Sequence, residues 1–189
     1  MIAPKADVRR AGGGQPPHAM IRSARTDDLP RLQTIELAAG EGFRDLGMDA
    51  IADDAPPSLE DLAGYQSDGR VWVAADASGL PIGYLLIEVL GSDAHIEQVS
   101  VHPAHARQGI GRRLIEHAAA WAGSRGFEAL TLTTFEHVPW NAPYYRRLGF
   151  RPVPETEWTE ELRLLVAGER EHGLDAWPRV AMRRLLSTT

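Results

Sequence analysis

The sequence predicts a mixed α/β fold, one domain built around a single β-sheet. Three observations predict it. Stretches whose apolar residues alternate at period two are interleaved with stretches of helical period. One strand-like run, His95 to Val101, passes through a glycine turn straight into Leu114, Ile115, Ala118, Trp121 and Ala122, which recur at helical spacing. Finally, 189 residues with 43% hydrophobic content suffice for one sizeable core.

The elements follow in order. Residues 1–19 hold Gly12-Gly13-Gly14 and Pro16-Pro17 without an apolar stretch, which predicts a flexible leader rather than a secretory signal and leaves residues 20–189 as the domain. Ile21 to Ala24 reads as the first strand, and Thr26 or Asp27 caps a helix with Leu29, Leu32 and Ile35 on its apolar face. Gly40 to Pro57 reads as a long loop. Ser58-Leu59-Glu60-Asp61 is a capping-box pattern that opens a second short helix. Val71–Ala75 and Ile82–Leu90 then flank the Ser78-Gly79 turn as a hairpin. After the signature strand and helix come a strand at Leu130–Phe135 and a short helix with Asn141 at its N-cap, Pro143 in its first turn and Gly149 past its end. Phe150–Val153 and Pro178–Met182 are the last strands. Between them, Glu160 to Glu171 carries Leu162, Leu165 and Val166 on one face, an extra helix near the site entrance. No internal repeat is present.

The turn between strand and helix carries the chemistry. Gly109 and Gly111 are expected to take positive φ and to let backbone approach a ligand closely, while the amides around Ile110 lack intrahelical acceptors at a dipole end that favours negative charge. That is a cradle for a phosphate or pyrophosphate. The Gly-x-Gly-x-x-Gly spacing of a dinucleotide fold and the Gly-Lys-Ser/Thr ending of a P-loop are both missing.

Two motifs resemble those of the GNAT superfamily of acyl-CoA-dependent N-acetyltransferases. Its pyrophosphate signature, Arg/Gln-x-x-Gly-x-Gly/Ala, aligns its glycines with Gly109 and Gly111; its Asn…Tyr-x-x-x-Gly-Phe pattern aligns with Asn141, Tyr145, Gly149 and Phe150. Ala106 departs from the first motif, so polar side-chain contacts there fall to Arg107, Gln108 or Arg112. The resemblance covers roughly Met20 to Leu186. It implies a mostly antiparallel sheet with helices on both faces, splayed near the acyl-CoA site, where the backbone of Val99, Ser100 and Val101 pairs with pantetheine and one N–H group serves as an oxyanion donor. It also implies acetyl-CoA as cosubstrate, Asn141 as a CoA contact and Tyr145 as the acid that protonates the leaving sulfur, and it leaves room for a homodimer.

Acyl transfer to an amine needs a neutral nucleophile, an exit for its proton and a proton for the thiolate. Glu97 is the leading proton acceptor, because a carboxylate between apolar neighbours in the signature strand can be desolvated; Glu136 and His137, at the end of the next strand, are the alternatives. Asn141 is equally explained as a simple N-cap. No cysteine is present, which excludes disulfides and an acyl-cysteine intermediate and leaves direct attack in a ternary complex. The seven histidines, His102 and His105 among them, lack companions at metal-ligand spacing, so no metal is expected.

A net charge of −6 argues against a general nucleic-acid binder, and the longest apolar stretch, Leu80 to Leu90, contains Glu88 and is too short to span a bilayer. A cytoplasmic protein is expected. Glu41, Asp45, Asp49, Asp53 and Asp54 against a lone Arg44 would make the acceptor mouth attractive to cationic amines. An N-acetyltransferase is the reading these features favour; the alternative is a non-catalytic acyl-CoA-binding module that regulates a partner.

Overall fold

A computed structural model describes residues 19–186; the expected leader therefore lies, but for Ala19, outside the described residues. Seven strands form one sheet: β1 (Met20–Ser23), β2 (Val71–Ala75), β3 (Pro81–Leu90), β4 (Asp93–Val101), β5 (Ala129–Phe135), β6 (Arg151–Pro152) and β7 (Arg179–Leu185). Their order is β1-β2-β3-β4-β5-β7-β6, and every neighbouring pair is antiparallel except β4 and β5. Six α-helices flank it among the described residues: α1 (Leu29–Gly40), α2 (Asp49–Ala52), α3 (Leu59–Ser67), α4 (Ile110–Ser124), α5 (Ala142–Arg147) and α6 (Glu160–Glu171).

The period-two alternation of the strands sorts side chains onto two faces. Trp72 and Ala74 of β2, Leu85 and Ile87 of β3, and Leu130 and Leu132 of β5 pack with Ile110, Leu114, Ile115 and Ala118 of α4. Their neighbours Val71, Val73, Tyr84 and Leu86 face the other way, against Leu29, Leu32 and Ile35 of α1 and Leu62 of α3. On that second face, α6 sets Leu162 and Val166 on Ala181 of β7. Helices therefore cover both faces.

Local differences from the sequence expectations have physical causes. The first helix begins after a short 3-10 turn, and Asp28 rather than Thr26 or Asp27 holds its entrance: the carboxylate accepts the Arg25 amide at 2.7 Å and is paired with Arg22 at 2.6 Å. Residues 40–57 are not a plain loop. They form a 3-10 helix at Glu41–Leu46 followed by α2, bound together by Arg44, which reaches Glu41 at 3.0 Å, Asp53 at 2.5 Å and Asp49 at 3.6 Å. The Ser58 capping box forms as expected, its Oγ accepting the Asp61 amide at 3.1 Å. The strand expected at Phe150–Val153 shrinks to Arg151–Pro152, because two prolines, Pro152 and Pro154, cannot donate to a ladder. The last strand extends to Leu185 instead of ending at Met182.

Candidate active site

The site is organised by two irregularities of β4. First, its parallel pairing with β5 ends at His95 opposite Thr131, so the half from Ile96 to Val101 is paired with β3 alone. This is the splay expected on resemblance. Second, Ile96 pairs with Ile87 and Gln98 with Leu86, which leaves Glu97 as one extra residue in a β-bulge. Ile96 lies on the α4 face, and Val99 and Val101 pack there too, so the bulge sends Glu97 and Gln98 successively to the opposite face.

On that face, polar groups lie across the sheet. Tyr65 of α3 donates to Glu88 of β3 at 2.9 Å, and Arg70 pairs with the same carboxylate at 3.1 Å. His95, paired across the ladder with Glu88, shares a hydrogen bond of 3.0 Å with the Thr131 hydroxyl. Burial drives its pKa down to about 4, so the ring is neutral at pH 7. Beyond β5, Arg179 of β7 donates to Glu169 of α6 at 2.8 Å and to the Thr133 hydroxyl at 3.0 Å, and Thr133 also donates to Glu169. Glu97 opens to solvent along one side, yet desolvation by the protein around it, and then the charges of Glu169 and Glu88, raise its pKa above the ordinary carboxylate range against the opposing pull of Arg179. A cavity of about 460 Å³ between α6 and the sheet shares Thr133, Glu169 and Arg179 with this neighbourhood and is walled by Trp158 and Trp177; it does not include the glycine turn.

The glycine turn lies at the end of the splayed half. Gly109 stands at the N-cap of α4 with φ 75°, and the second left-handed residue is Arg107, at φ 60°, not Gly111. Gly111 is helical, so its φ does not call for glycine; a Cβ there would stand 3.3 Å from the Tyr144 hydroxyl, a tight contact with the end of a side chain, whereas one on Gly109 would meet nothing within 4 Å. The amides of residues 107–112 have no acceptor among the described residues, and the side chains of Arg107, Gln108 and Arg112 are exposed and unpaired within the same set. An anion at this end of α4 would meet free N–H groups, the helix dipole and two nearby cations.

The second motif closes the other side. Asn141 occupies the N-cap of α5, but its side chain makes no capping bond, which removes the simple structural explanation for it. Tyr145 is half-buried, edge-on to Tyr144 at 5.6 Å and to Phe150 at 5.8 Å; burial, with Tyr144 adding, raises its pKa, so the phenol keeps its proton. Gly149 takes φ 88° beyond the helix end, as its place in the motif requires. Glu136 and His137 follow β5, where Glu136 is anchored through its backbone to Pro178 at 2.8 Å. His102 turns its Nδ1 to the Ala104 amide at 3.3 Å, a capping role. Among the described residues no group of three or more His, Cys, Asp or Glu is placed to hold a metal ion, and no helix is long and apolar enough to cross a membrane.

Four residues of the site escape a reading of the sequence alone. Glu36 is one, and it had a signal: Leu29, Leu32 and Glu36 stand at i, i+3 and i+7, so a carboxylate occupies the buried stripe of α1. Gly83 is another, since a Cβ there would lie 3.0 Å from the Ser100 carbonyl and 3.3 Å from Ile110, where α4 comes down on the sheet. Glu169 and Arg179 meet only in three dimensions and left no pattern.

Comparison with known proteins agrees with this geometry. A family model described as the Acetyltransferase (GNAT) family matches residues 32–150. Streptothricin acetyltransferase from Streptomyces lavendulae is 36% identical over 154 residues, covering 69% of this chain and 80% of that protein. Peptidyl-lysine N-acetyltransferase YjaB from Escherichia coli is 28% identical over 100 residues, 52% of this chain and 62% of its own length. Among solved structures, Rv2747 from Mycobacterium tuberculosis, in complex with CoA and NLQ, superposes with a TM-score of 0.65 at 22% identity over 89% of this chain and 99% of its own, a likeness of fold. With the family model spanning more than half of the sequence, the chain belongs to the GNAT acetyltransferase family and is an acyltransferase that acetylates an amine.

Proposed function

We propose that this enzyme binds acetyl-CoA along the splayed half of β4 and transfers its acetyl group directly to an amine held on the opposite face of the sheet. The observation that carries the reading is the loss of β5 pairing after His95, followed beyond the end of the strand by a helix entrance whose amides have no acceptor among the described residues. The free edge of Val99, Ser100 and Val101 suits pantetheine as an added strand. Gly109, Ile110 and Gly111, with Arg107, Gln108 and Arg112, suit the pyrophosphate, and the uncapped side chain of Asn141 is available to CoA. CoA in the Rv2747 complex supports the same cosubstrate.

In the reaction the amine nitrogen attacks the thioester carbon, the C–S bond breaks, and the acetamide keeps the carbonyl oxygen, whose transient negative charge is met by a β4 amide. Glu97 takes the proton of the ammonium, a task its raised pKa matches, with Glu136 and His137 as alternative acceptors. Tyr145, which holds its proton, gives it to the departing thiolate and recovers, through solvent, the second proton shed by the attacked nitrogen. The acceptor is a cationic amine: Glu97 has no ion-pair partner among the described residues and Asp45 and Asp54 stay outside the ion pairs of Arg44, whereas Glu88 and Glu169 are paired with Arg70 and Arg179. The family's named relatives act on streptothricin in one case and peptidyl-lysine in the other, both compatible with such a site.

A panel of amines assayed for thiol release from acetyl-CoA tests this reading. The expected result is turnover with one class of cationic amine. Tight CoA binding without thiol release across the panel would instead support a non-catalytic acyl-CoA-binding module.

A further inference from the structure

We propose that Glu36 is a positioning residue of the active site: its carboxylate fixes the free half of β4, and with it the bulge that presents Glu97. Three donors from two strands converge on it. The Tyr84 hydroxyl and the Ser100 hydroxyl donate to Oε2 at 2.6 and 2.7 Å, and the Gln98 side-chain amide donates to Oε1 at 2.5 Å while also reaching Ser100 Oγ at 2.9 Å. Tyr84 is 0% exposed and Ser100 6%, so these are hydrogen bonds made away from bulk water, where a carboxylate acceptor is worth most and an unpaired group is most costly.

The place of the network gives it its purpose. Gln98 follows the bulge residue directly, and Ser100 stands between Val99 and Val101, the segment assigned to pantetheine. Past His95 this segment has lost β5 and is held laterally by β3 alone. Glu36 supplies the missing restraint from the face of the sheet. It does so from a rigid support, because Leu29, Leu32 and Ile35 fix α1 in the core that also contains Tyr84. A bulge side chain is free to swing with its strand; a strand tied at the next residue and again two residues later is not.

The kinetic half of the test rests on the assignment of Glu97 as proton acceptor; the exchange half does not. Glu36→Gln keeps the shape but replaces one acceptor oxygen with a donor, which cannot face all three donors. Hydrogen exchange across residues 96–101 is expected to quicken by about tenfold or more, with α4 and β5 unchanged. The rate constant is expected to fall by about 10–100-fold, as for a small misplacement of a reacting group, and its acid limb to shift; Glu36→Asp should restore part of it. In the Glu36→Gln/Glu97→Gln double variant the two losses should not add, since Glu36 acts through Glu97. Should Glu36→Gln fail to fold, Tyr84→Phe removes one donor and should move the exchange of 96–101 in the same direction by less. Folded Glu36→Gln with native exchange at 96–101, or exchange that quickens throughout the α1 core with additive rate losses, overturns the proposal. An acid limb insensitive to Glu97→Gln beside localised exchange in Glu36→Gln would remove Glu97 as the base and leave the positioning intact.

Discussion

Removal of the Tyr145 hydroxyl separates chemistry from binding. Tyr145→Phe changes little volume, so the rate constant should fall by roughly 10²–10⁴-fold, the usual worth of a general acid, while calorimetric CoA affinity barely moves; wild-type turnover in that variant would take the acid role from Tyr145. Glu97→Gln should flatten the low-pH limb of the rate profile, a limb that should lie above the ordinary carboxylate range because the native pKa is raised. His95 gives a separate pH signature in stability. Its folded pKa of about 4 lies below its ordinary 6.5, so the unfolded chain binds the proton more readily, and stability present above pH 6.5 is lost as pH falls toward 4. The loss is on the order of 3 kcal/mol, and denaturant titrations at pH 7 and pH 4 should find it reduced in His95→Gln; equal pH dependence in the two proteins would contradict it. The placement of Glu97 on the signature strand and of Tyr145 on the short helix after Asn141 was legible in the sequence, through strand alternation and motif spacing. His95, fully buried against Thr131, was not, because its partner lies on a strand 36 residues away.

The glycine turn at the head of α4 behaves as one device with two different glycines. Gly109→Val forces a β-branched residue to φ 75° and should destabilise the protein by about 1–3 kcal/mol besides blocking the ligand. Gly111→Val has no such backbone strain, since Gly111 is helical, and should act by filling space beside Tyr144. Denaturation midpoints should therefore separate the two variants while both weaken CoA binding. Elements of strong period were readable: α6 spans Glu160–Glu171 as expected, and the Ser58 box opens α3. What escaped were features fixed by neighbours. The bulge at Glu97 exists only relative to the register of β3, and the helical turns at 41–46 and 49–52 are held by Phe43, Met48 and Ile51 packing with Phe135 and Val138 of a distant stretch, while Arg44 pairs with three carboxylates that the sequence alone presents as repelling charges.

Across the whole molecule, the sheet sets two stretches of the sequence side by side: β4, which leads to the head of α4, and β5 with β7, flanked by α5 and α6. A ligand bridging those stretches and binding only the folded chain must stabilise it by mass action. At a hundredfold excess over its dissociation constant, CoA should raise the melting temperature by roughly 5–10 °C, with ATP and NAD well behind. The mixed, mostly antiparallel sheet with helices on both faces was legible through the family resemblance that the glycine turn and the Asn141–Phe150 motif carry, but the strand order was not. The acceptor side was not, since Glu36, Glu88, Glu169 and Arg179 come from four elements. The most direct measurement is a calorimetric titration of CoA into the wild type and into folded Gly111→Val. One-to-one binding to the wild type, weakened by about tenfold or more in the variant, is the result expected if the pyrophosphate sits against the head of α4. Absence of CoA binding, or equal affinity in the two proteins, would contradict it.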